Sequence, residues 1–389
     1  MSAFRKVALS EVAEIERDSI AASAIQDGTL YVGLENIQSG GDFLNVREVD
    51  GGELASSKFS FTAEHLLYGK LRPYLAKIAR PNFAGICSTD ILPVLPGPKL
   101  SRDYLAHFLL QTKMVDLANS RASGANLPRL SPRALAEFEV PLPPLPEQRR
   151  IAAILDQAET LRTQRRAALA QLDSLTQSIF LDMFGDPVMN PKQWPQVRLG
   201  EHTFKMGSGS TPTGGDAAYK ASGVSLIRSL NVRDGDFAYK NLAFIDEPQA
   251  AKLANVQVAE NDVLLNITGA SVARVCRAPK AVLPARVNQH VMIIRPKTTL
   301  DCVFLERMLL SVDMKRKLLQ IGGSGATREA ITKAQAEELA VICPPLHLQQ
   351  TFATRIQAIA ALKATHRAAL AELDALFASL QQRAFAGEM

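Results

Sequence analysis

PPLPEQRRIAAILDQAETLRTQRRAALAQLDSLTQSIFLDMF, from Pro143 to Phe184, returns near the C-terminus as PPLHLQQTFATRIQAIAALKATHRAALAELDALFASLQQRAF, from Pro344 to Phe385. The offset is constant (344 − 143 = 201 and 385 − 184 = 201), so the copies align without a gap. Apolar residues recur in the first copy at Ile151, Ile154, Ala158, Leu161, Ala168, Leu172, Leu175 and Ile179. In the second they recur at Phe352, Ile356, Ile359, Leu362, Ala369, Leu373, Leu376 and Leu380. Steps of three and four make a heptad seam, with one polar layer in each copy, Arg165 and His366. Pro146 suits a first helical turn, and Gly185 followed by Pro187 stops the helix. At 1.5 Å per residue each helix spans roughly 55–60 Å, and each seam finds its partner in the other copy. An antiparallel pair is expected, because it lets the segment between Gly185 and Val341 enter and leave at the same end.

Outward from the helices the chain repeats again. LYVGLENI (Leu30–Ile37), EHLLYGKLRPYLAKIA (Glu64–Ala79), CSTDILPVLP (Cys87–Pro96) and an expected helix over Asp103–Ala118 precede the first copy. VSLIRSLNV (Val224–Val232), DVLLNITGASVARV (Asp262–Val275), VNQHVMIIRP (Val287–Pro296) and an expected helix over Leu305–Leu319 precede the second. Ser324-Gly325-Ala326 matches Ser123-Gly124-Ala125 at the same offset of 201 (324 − 123). The fold class expected is α+β: two mixed α/β domains, 1–142 and 188–342, joined by long antiparallel coiled-coil helices, 143–187 and 343–389. Each domain precedes its helix, so antiparallel packing would relate the domains by a pseudo-twofold axis, the symmetry of a DNA duplex backbone. The helices diverged little and the domains much, as expected if the helices share one job and the domains differ in specificity.

With 389 residues, 47% hydrophobic and 21% charged, the chain can bury substantial cores in two or three domains. No apolar run reaches the roughly 18 residues that span a bilayer, and the polar start MSAFRKVALSEVAEIERD has no signal-peptide core, so a cytoplasmic protein without a membrane partner is expected. The net charge of +5 is a weak pointer to a polyanion. Cys87, Cys276, Cys302 and Cys343 lack paired spacing and read as buried thiols; the six histidines show no metal-ligand spacing.

The order of domain, PPLPEQRRIAAIL helix, domain and PPL-x-x-QQ helix resembles the DNA-specificity (S) subunit of type I restriction-modification enzymes over essentially the full chain. The motifs that carry the resemblance are YVGLENI, GKLRPYLAK and CSTDILPV, then MGSGSTP, LLNITGAS, VNQHVMIIRP and GSGATREAI. It implies two target-recognition domains that each read one half of a split site in double-stranded DNA. It also implies helices that act as ruler and as docking surface for two methyltransferase subunits, with restriction/translocase subunits beyond. No catalytic residue and no cofactor belong to this chain on that reading; S-adenosylmethionine, ATP and Mg²⁺ belong to the partners. His347-Leu348 replaces Pro146-Glu147 in the second copy, which bears on whether the two docking sites are equivalent.

Candidate DNA contacts follow from residue type. Lys70, Arg72 and Lys77, interleaved with Tyr68 and Tyr74, and Arg274, Arg277 and Lys280 in the second domain, suit phosphates, or else form a solvated face. Arg228 and Asn231, and Asn288 and Gln289, have the side chains that read guanine and adenine edges bidentately, or that hold loops together. Thr268 lies in LLNITGAS. In Gly207–Gly215 (GSGSTPTGG) the hydroxyls of Ser208, Ser210 and Thr211 suit a phosphate or an ordinary surface turn; no Lys-Ser/Thr follows, so a nucleotide P-loop is not expected. Asn190-Pro191-Lys192-Gln193-Trp194 lacks the spacing of an adenine-methyltransferase motif, and Glu-x-Lys, common in restriction nucleases, does not occur. Two rivals are a self-contained restriction enzyme or methyltransferase, and a stand-alone DNA-binding regulator or structural protein; the specificity part of another restriction-methylation class is a near variant of the main reading.

Overall fold

The computed structural model describes residues 4–323 and 330–388. Ser324-Gly325-Ala326 lies outside the described residues. The chain forms two compact units: the first comprises residues 1–166 and 368–389, the second residues 167–367.

The duplicated stretches form helices at Leu145–Phe184 and Leu346–Ala386, 40 and 41 residues long. Their pairing is antiparallel within each unit. In the first, Arg162 Nε donates to Asp374 Oδ1 at 2.6 Å, while Ile151 and Leu155, earlier in their helix, share a core with Ala384 and Phe385, later in theirs. In the second, Lys363 reaches Asp173 at 2.6 Å, whereas the Phe184 and Phe352 rings meet at 5.5 Å. The seam is only partly buried. Ile151, Ala158, Phe352, Ile356 and Ile359 are covered, but Leu161 and Leu376 in the first unit (44% and 50% exposed) and Leu175 and Leu362 in the second (45% and 53%) face solvent. Two helices alone cover only a narrow strip of each other, so leucines off that strip have nothing to pack on. Arg165 is exposed and His366 half-buried.

In the first unit a four-stranded antiparallel sheet runs Ala13–Ile15, Ile91–Pro96, Leu66–Gly69, Ile78–Ala79. A five-stranded sheet runs Ser19–Ile20, Lys58–Phe61, Gly85–Cys87, Thr29–Val32, Arg47–Val49, with one parallel pairing, Tyr31 opposite Ile86. The second unit repeats the plan with one edge strand fewer: Thr203–Ser208, Val291–Pro296, Val263–Asn266, Val275–Arg277 in one sheet, and Ala243–Ile245, Val224–Ile227, Ala285–Val287, Gln257–Val258 in the other, again with one parallel pairing, between Val224–Ile227 and Ala285–Val287. Ile91–Val94 and Val291–Ile294 are buried at every position because each strand has a neighbour on both sides. Two-stranded ribbons, Lys6–Ala8 with Glu139–Pro141 and Gln196–Arg198 with Ala340–Ile342, tie each domain's first strand to the residues that lead into its long helix.

A buried glutamine fixes each helix start. Gln148 Oε1 accepts from the Ser101 N–H at 2.8 Å and its amide donates to the Lys99 and Pro143 carbonyls; Gln349 repeats this with the Asp301 N–H and the Thr299 and Pro344 carbonyls. The helices expected over Asp103–Ala118 and Leu305–Leu319 are each broken in two, Arg102–Leu109 with Thr112–Ser120 and Cys302–Leu309 with Val312–Gly323. Side chains make the breaks: the Gln111 amide donates to the Phe108 carbonyl, and the Ser311 hydroxyl to that of Met308. Both end the preceding helix with no Gly or Pro.

Candidate nucleic-acid interface

The two domains build one surface feature in the same way. In the first, the chain between Leu66–Gly69 and Ile78–Ala79 turns through left-handed Arg72 (φ 52°), one 3₁₀ turn at Pro73–Leu75, and left-handed Ala76 (φ 49°). In the second, left-handed Gly269 (φ 71°) opens a 3₁₀ turn at Gly269–Ser271 and left-handed Ala273 (φ 64°) closes the loop. Left-handed backbone at a residue with a Cβ costs about 1–2 kcal/mol and persists only where the surroundings enforce it. Here they do. The Lys70 N–H donates to the Asp90 carbonyl (2.9 Å), the Leu130 N–H to that of Lys70 (2.9 Å) and the Arg72 N–H to that of Pro128 (2.7 Å). In the second domain the Ile267 N–H donates to the His290 carbonyl (3.0 Å) and the Ile331 N–H to that of Ile267 (2.8 Å). Three segments thus meet in each domain: the bracketed loop, the turn at Ser88–Ile91 or Asn288–Val291, and the stretch at Pro128–Leu130 or Ala330–Ile331.

The side chains differ. In the first domain Tyr74 and Leu75 stand exposed on the loop, and Asp90 grips Arg129, Oδ1 to Nε at 2.8 Å and Oδ2 to Nη2 at 3.2 Å. In the second, Ser229, Arg233, Thr268, Ser271, Arg274 and His290 line an open cleft of about 440 Å³. A hydrogen-bond chain runs behind it. Thr211 Oγ1 donates to Gln289 Oε1, the Gln289 amide meets His290 Nε2 at 3.1 Å, and His290 Nδ1 meets Thr268 Oγ1. If Gln289 donates, His290 carries its proton on Nδ1 and gives it to Thr268, which leaves the Thr268 hydroxyl as a donor into the cleft. With Arg233 and Arg274 beside it and the hydroxyls of Ser229 and Ser271 on its walls, the cleft is rich in donors, which suits phosphate oxygens or the acceptor edge of a purine.

Several residues singled out from sequence are structural. Asn231 is fully buried: its Oδ1 accepts from the Arg228 N–H at 3.0 Å and its amide donates to the Ala238 carbonyl at 2.9 Å, as Asn36 does in the first domain with Gly33, Leu44 and Asn45. Asn288 is buried with its Oδ1 on the His290 N–H. Neither is free to read adenine. Arg277 pairs with buried Glu306 at 3.1 Å, Lys77 Nζ donates to the Leu34 carbonyl at 2.5 Å, and Arg228 donates to the Asn241 carbonyl and lies 4.9 Å from the Tyr219 ring. Ser208 ends a strand opposite Met292. Ser210 is exposed, and Thr211 and Gln289 enter the chain behind the cleft. Lys70, Arg72, Thr268 and Arg274 lie on the bracketed loops. Arg129, Arg233 and His290 escaped sequence reasoning; the Ser-Gly-Ala repeat just before Arg129 was the nearest signal.

Among the described residues no cluster of His, Cys, Asp and Glu could hold a metal, and no helix is long and apolar enough to cross a membrane. Burial pushes the Cys87 and Cys276 thiols up to about 12; Cys302 and Cys343, expected buried, are only half so. One Gln-x-Lys triplet occurs, Gln111-Thr112-Lys113, but Gln111 is buried in the helix break described above.

The model of the type I restriction modification DNA specificity domain matches residues 1–171, all of the first domain and about two thirds of the first long helix. The EcoDI specificity subunit of Escherichia coli is 36% identical over 135 residues, 34% of this chain and 30% of that subunit; the putative MjaX specificity subunit of Methanocaldococcus jannaschii is 26% identical over 311 residues, 76% of this chain and 69% of that one. Residues 1–171 of this chain belong to the type I restriction-modification DNA specificity domain family. The S subunit from M. genitalium superposes with a TM-score of 0.64 at 13% identity, covering 98% of this chain and 96% of that one. A chain solved in work on the complex assembly and conformational transition of a type I system gives 0.58 at 22% identity, covering 100% and 99%. These likenesses show the fold of the whole chain, including the second domain, whose strand order repeats that of the first apart from one edge strand. The stretch shared with EcoDI spans less than a third of that subunit, so relatives of this chain share parts of it unequally.

Proposed function

We propose that this chain is a specificity subunit, the non-catalytic DNA-reading part of a type I restriction-modification enzyme, and that each domain reads one half of a bipartite duplex site. One observation carries the reading: the three-segment site is built twice on the same left-handed backbone hinges, with different side chains facing out. Identical scaffolds that present different chemistry are what two different half-sites require. Domain limits of 1–142 and 188–342, with helices at 143–187 and 343–389, divide the work between reading and spacing. Leu161 with Leu376 and Leu175 with Leu362 are apolar, exposed and 201 residues apart in crossed pairs (362 − 161 and 376 − 175), which supports one methyltransferase docking surface on each unit. S-adenosylmethionine, ATP and Mg²⁺ then belong to the methyltransferase and restriction partners, and the whole assembly works in the cytoplasm.

The test is a domain exchange. Replacing residues 200–340 with the equivalent domain of another specificity subunit, co-expressed with the methyltransferase, is expected to change one half of the methylated motif and leave the other intact. A change in both halves would show that reading is not modular. A free dimer on DNA that never co-purifies with a methyltransferase would favour a stand-alone regulator.

A further inference from the structure

We infer that Arg129 is a specificity-determining residue of the first domain, and that it selects a guanine in the half-site this domain reads. The inference rests on the DNA-reading role proposed above. Arg129 is fixed at both ends. Its N–H donates to the Ser123 carbonyl at 2.9 Å and its carbonyl accepts from the Ser123 N–H at 3.0 Å, in a tight loop where Gly124 takes φ 108° and a Cβ would lie 2.9 Å from the Leu127 carbonyl. Its flanking residues are hydrogen-bonded to the bracketed loop, Pro128 to Arg72 and Leu130 to Lys70. The guanidinium is held in turn by the Asp90 carboxylate on Nε and Nη2.

The geometry of that grip matters more than its strength. A guanidinium carries five N–H donors in one plane, and a carboxylate on the Nε–Nη2 edge uses two of them. The outer edge keeps one N–H on each of Nη1 and Nη2, parallel and coplanar, the spacing that pairs with O6 and N7 of guanine in the major groove. The Arg129 side chain is 43% exposed, so this edge is open, with Lys70 and Arg72 nearby on the loop. A partly exposed ion pair adds little to folding stability. As a tie between turn and loop it would also be redundant, because backbone hydrogen bonds already join these segments. Its effect is to hold an otherwise mobile side chain in one orientation before DNA arrives. The second domain has Ala330 in this place (330 − 129 = 201), and His290 where Asp90 stands on the first-domain turn. The effect is therefore confined to one half-site.

The experiment is selection from a random duplex library by the full chain co-purified with its methyltransferase, for wild type, R129A, R129K and D90A, with methylated motifs read in parallel. Arg129→Ala is expected to lower the preference for guanine at one position of one half by roughly 5- to 150-fold, with the other half unchanged. Arg129→Lys keeps the charge but not the planar fork, so it should keep affinity and lose the preference. Asp90→Ala should fall between. An Arg129→Lys variant that keeps the guanine preference, or variants that weaken all sequences alike without relaxing any position, would overturn the inference. So would motifs that stay unchanged. Should Arg129→Ala fail to fold, the lysine and Asp90→Ala variants decide. A wild-type complex that enriches no motif would overturn the DNA-reading role itself, and this inference with it.

Discussion

The two domains both pack apolar cores on their long helices, but only the first adds a clamp of Arg80, His107 and Asp156. In the first unit Arg80, just after the strand Ile78–Ala79, grips Asp156 of the first long helix with Nη1 and Nη2 at 3.1 and 2.8 Å, and His107 Nε2 joins the same carboxylate at 2.9 Å. In the second unit Arg277 ends the matching strand but turns back into its own domain, to buried Glu306. Gln357 and Met308 stand where Asp156 and His107 stand in the first copy (357 − 156 = 201; 308 − 107 = 201). Both units have rings at the joint, but the second has the larger cluster: Phe180, Phe184, Phe304 and Phe352 pack ring to ring at 4.8–5.7 Å, where the first has Phe385 against Tyr104 and Phe108 at 5.1 and 5.6 Å. One scaffold thus accepts an apolar joint with or without this arginine–histidine–aspartate clamp beside it, and the two must answer differently to acid.

The largest expected effect is at the larger aromatic cluster. Phe352→Ala removes a fully buried ring that touches two others, and about 3–5 kcal/mol of stability should go with it in denaturant unfolding. A loss below about 1 kcal/mol would mean that the rings do not hold the second domain to its helices. Glu306→Gln should cost about 2–3 kcal/mol, since it leaves Arg277 without its counter-charge; the cost falls short of a fully buried pair because Arg277 keeps some contact with water.

The smallest effect is at the clamp. Partial burial pulls the Asp156 carboxyl up, but the hydrogen bonds from His107 and Arg80 and the Arg80 charge outweigh it and hold the group at about 2, below its ordinary 3.8. A depressed carboxyl stabilises the fold above pH 3.8, and that contribution is lost as pH falls through 2. Because Asp156 is partly exposed, roughly 1 kcal/mol is expected. Asp156→Asn should therefore match wild type near pH 2 and be less stable at neutral pH. A deficit of equal size at both pH values would show that Asp156 acts by packing rather than by charge.

What the sequence disclosed depended on whether a signal was local. The duplication, the long helices and the matching strands Ile91–Pro96 and Val291–Pro296 are written in contiguous apolar patterns. The breaks at Gln111 and Ser311 are not, because a side chain that closes on a carbonyl three residues back leaves no Gly or Pro to mark it. Asn231 shows the limit most sharply. An amide that staples a turn and an amide that reads adenine have the same donors and acceptors, and only burial separates them. Arg129 was missed for a related reason: its partner Asp90 lies 39 residues away in the chain. The coiled-coil seam was over-read at Leu161, Leu175, Leu362 and Leu376, where periodicity persists without a surface to bury it.

The left-handed pairs Arg72 with Ala76 and Gly269 with Ala273 separate the course of a loop from its content. Backbone direction is set at the two hinges and by neighbours that grip main-chain atoms, not side chains. Residues 73–75 and 270–272 between them can therefore be exchanged with little change in where the loop runs. A protein that must keep meeting new sequences gains from such an arrangement, because its vocabulary can turn over while its grammar stays still.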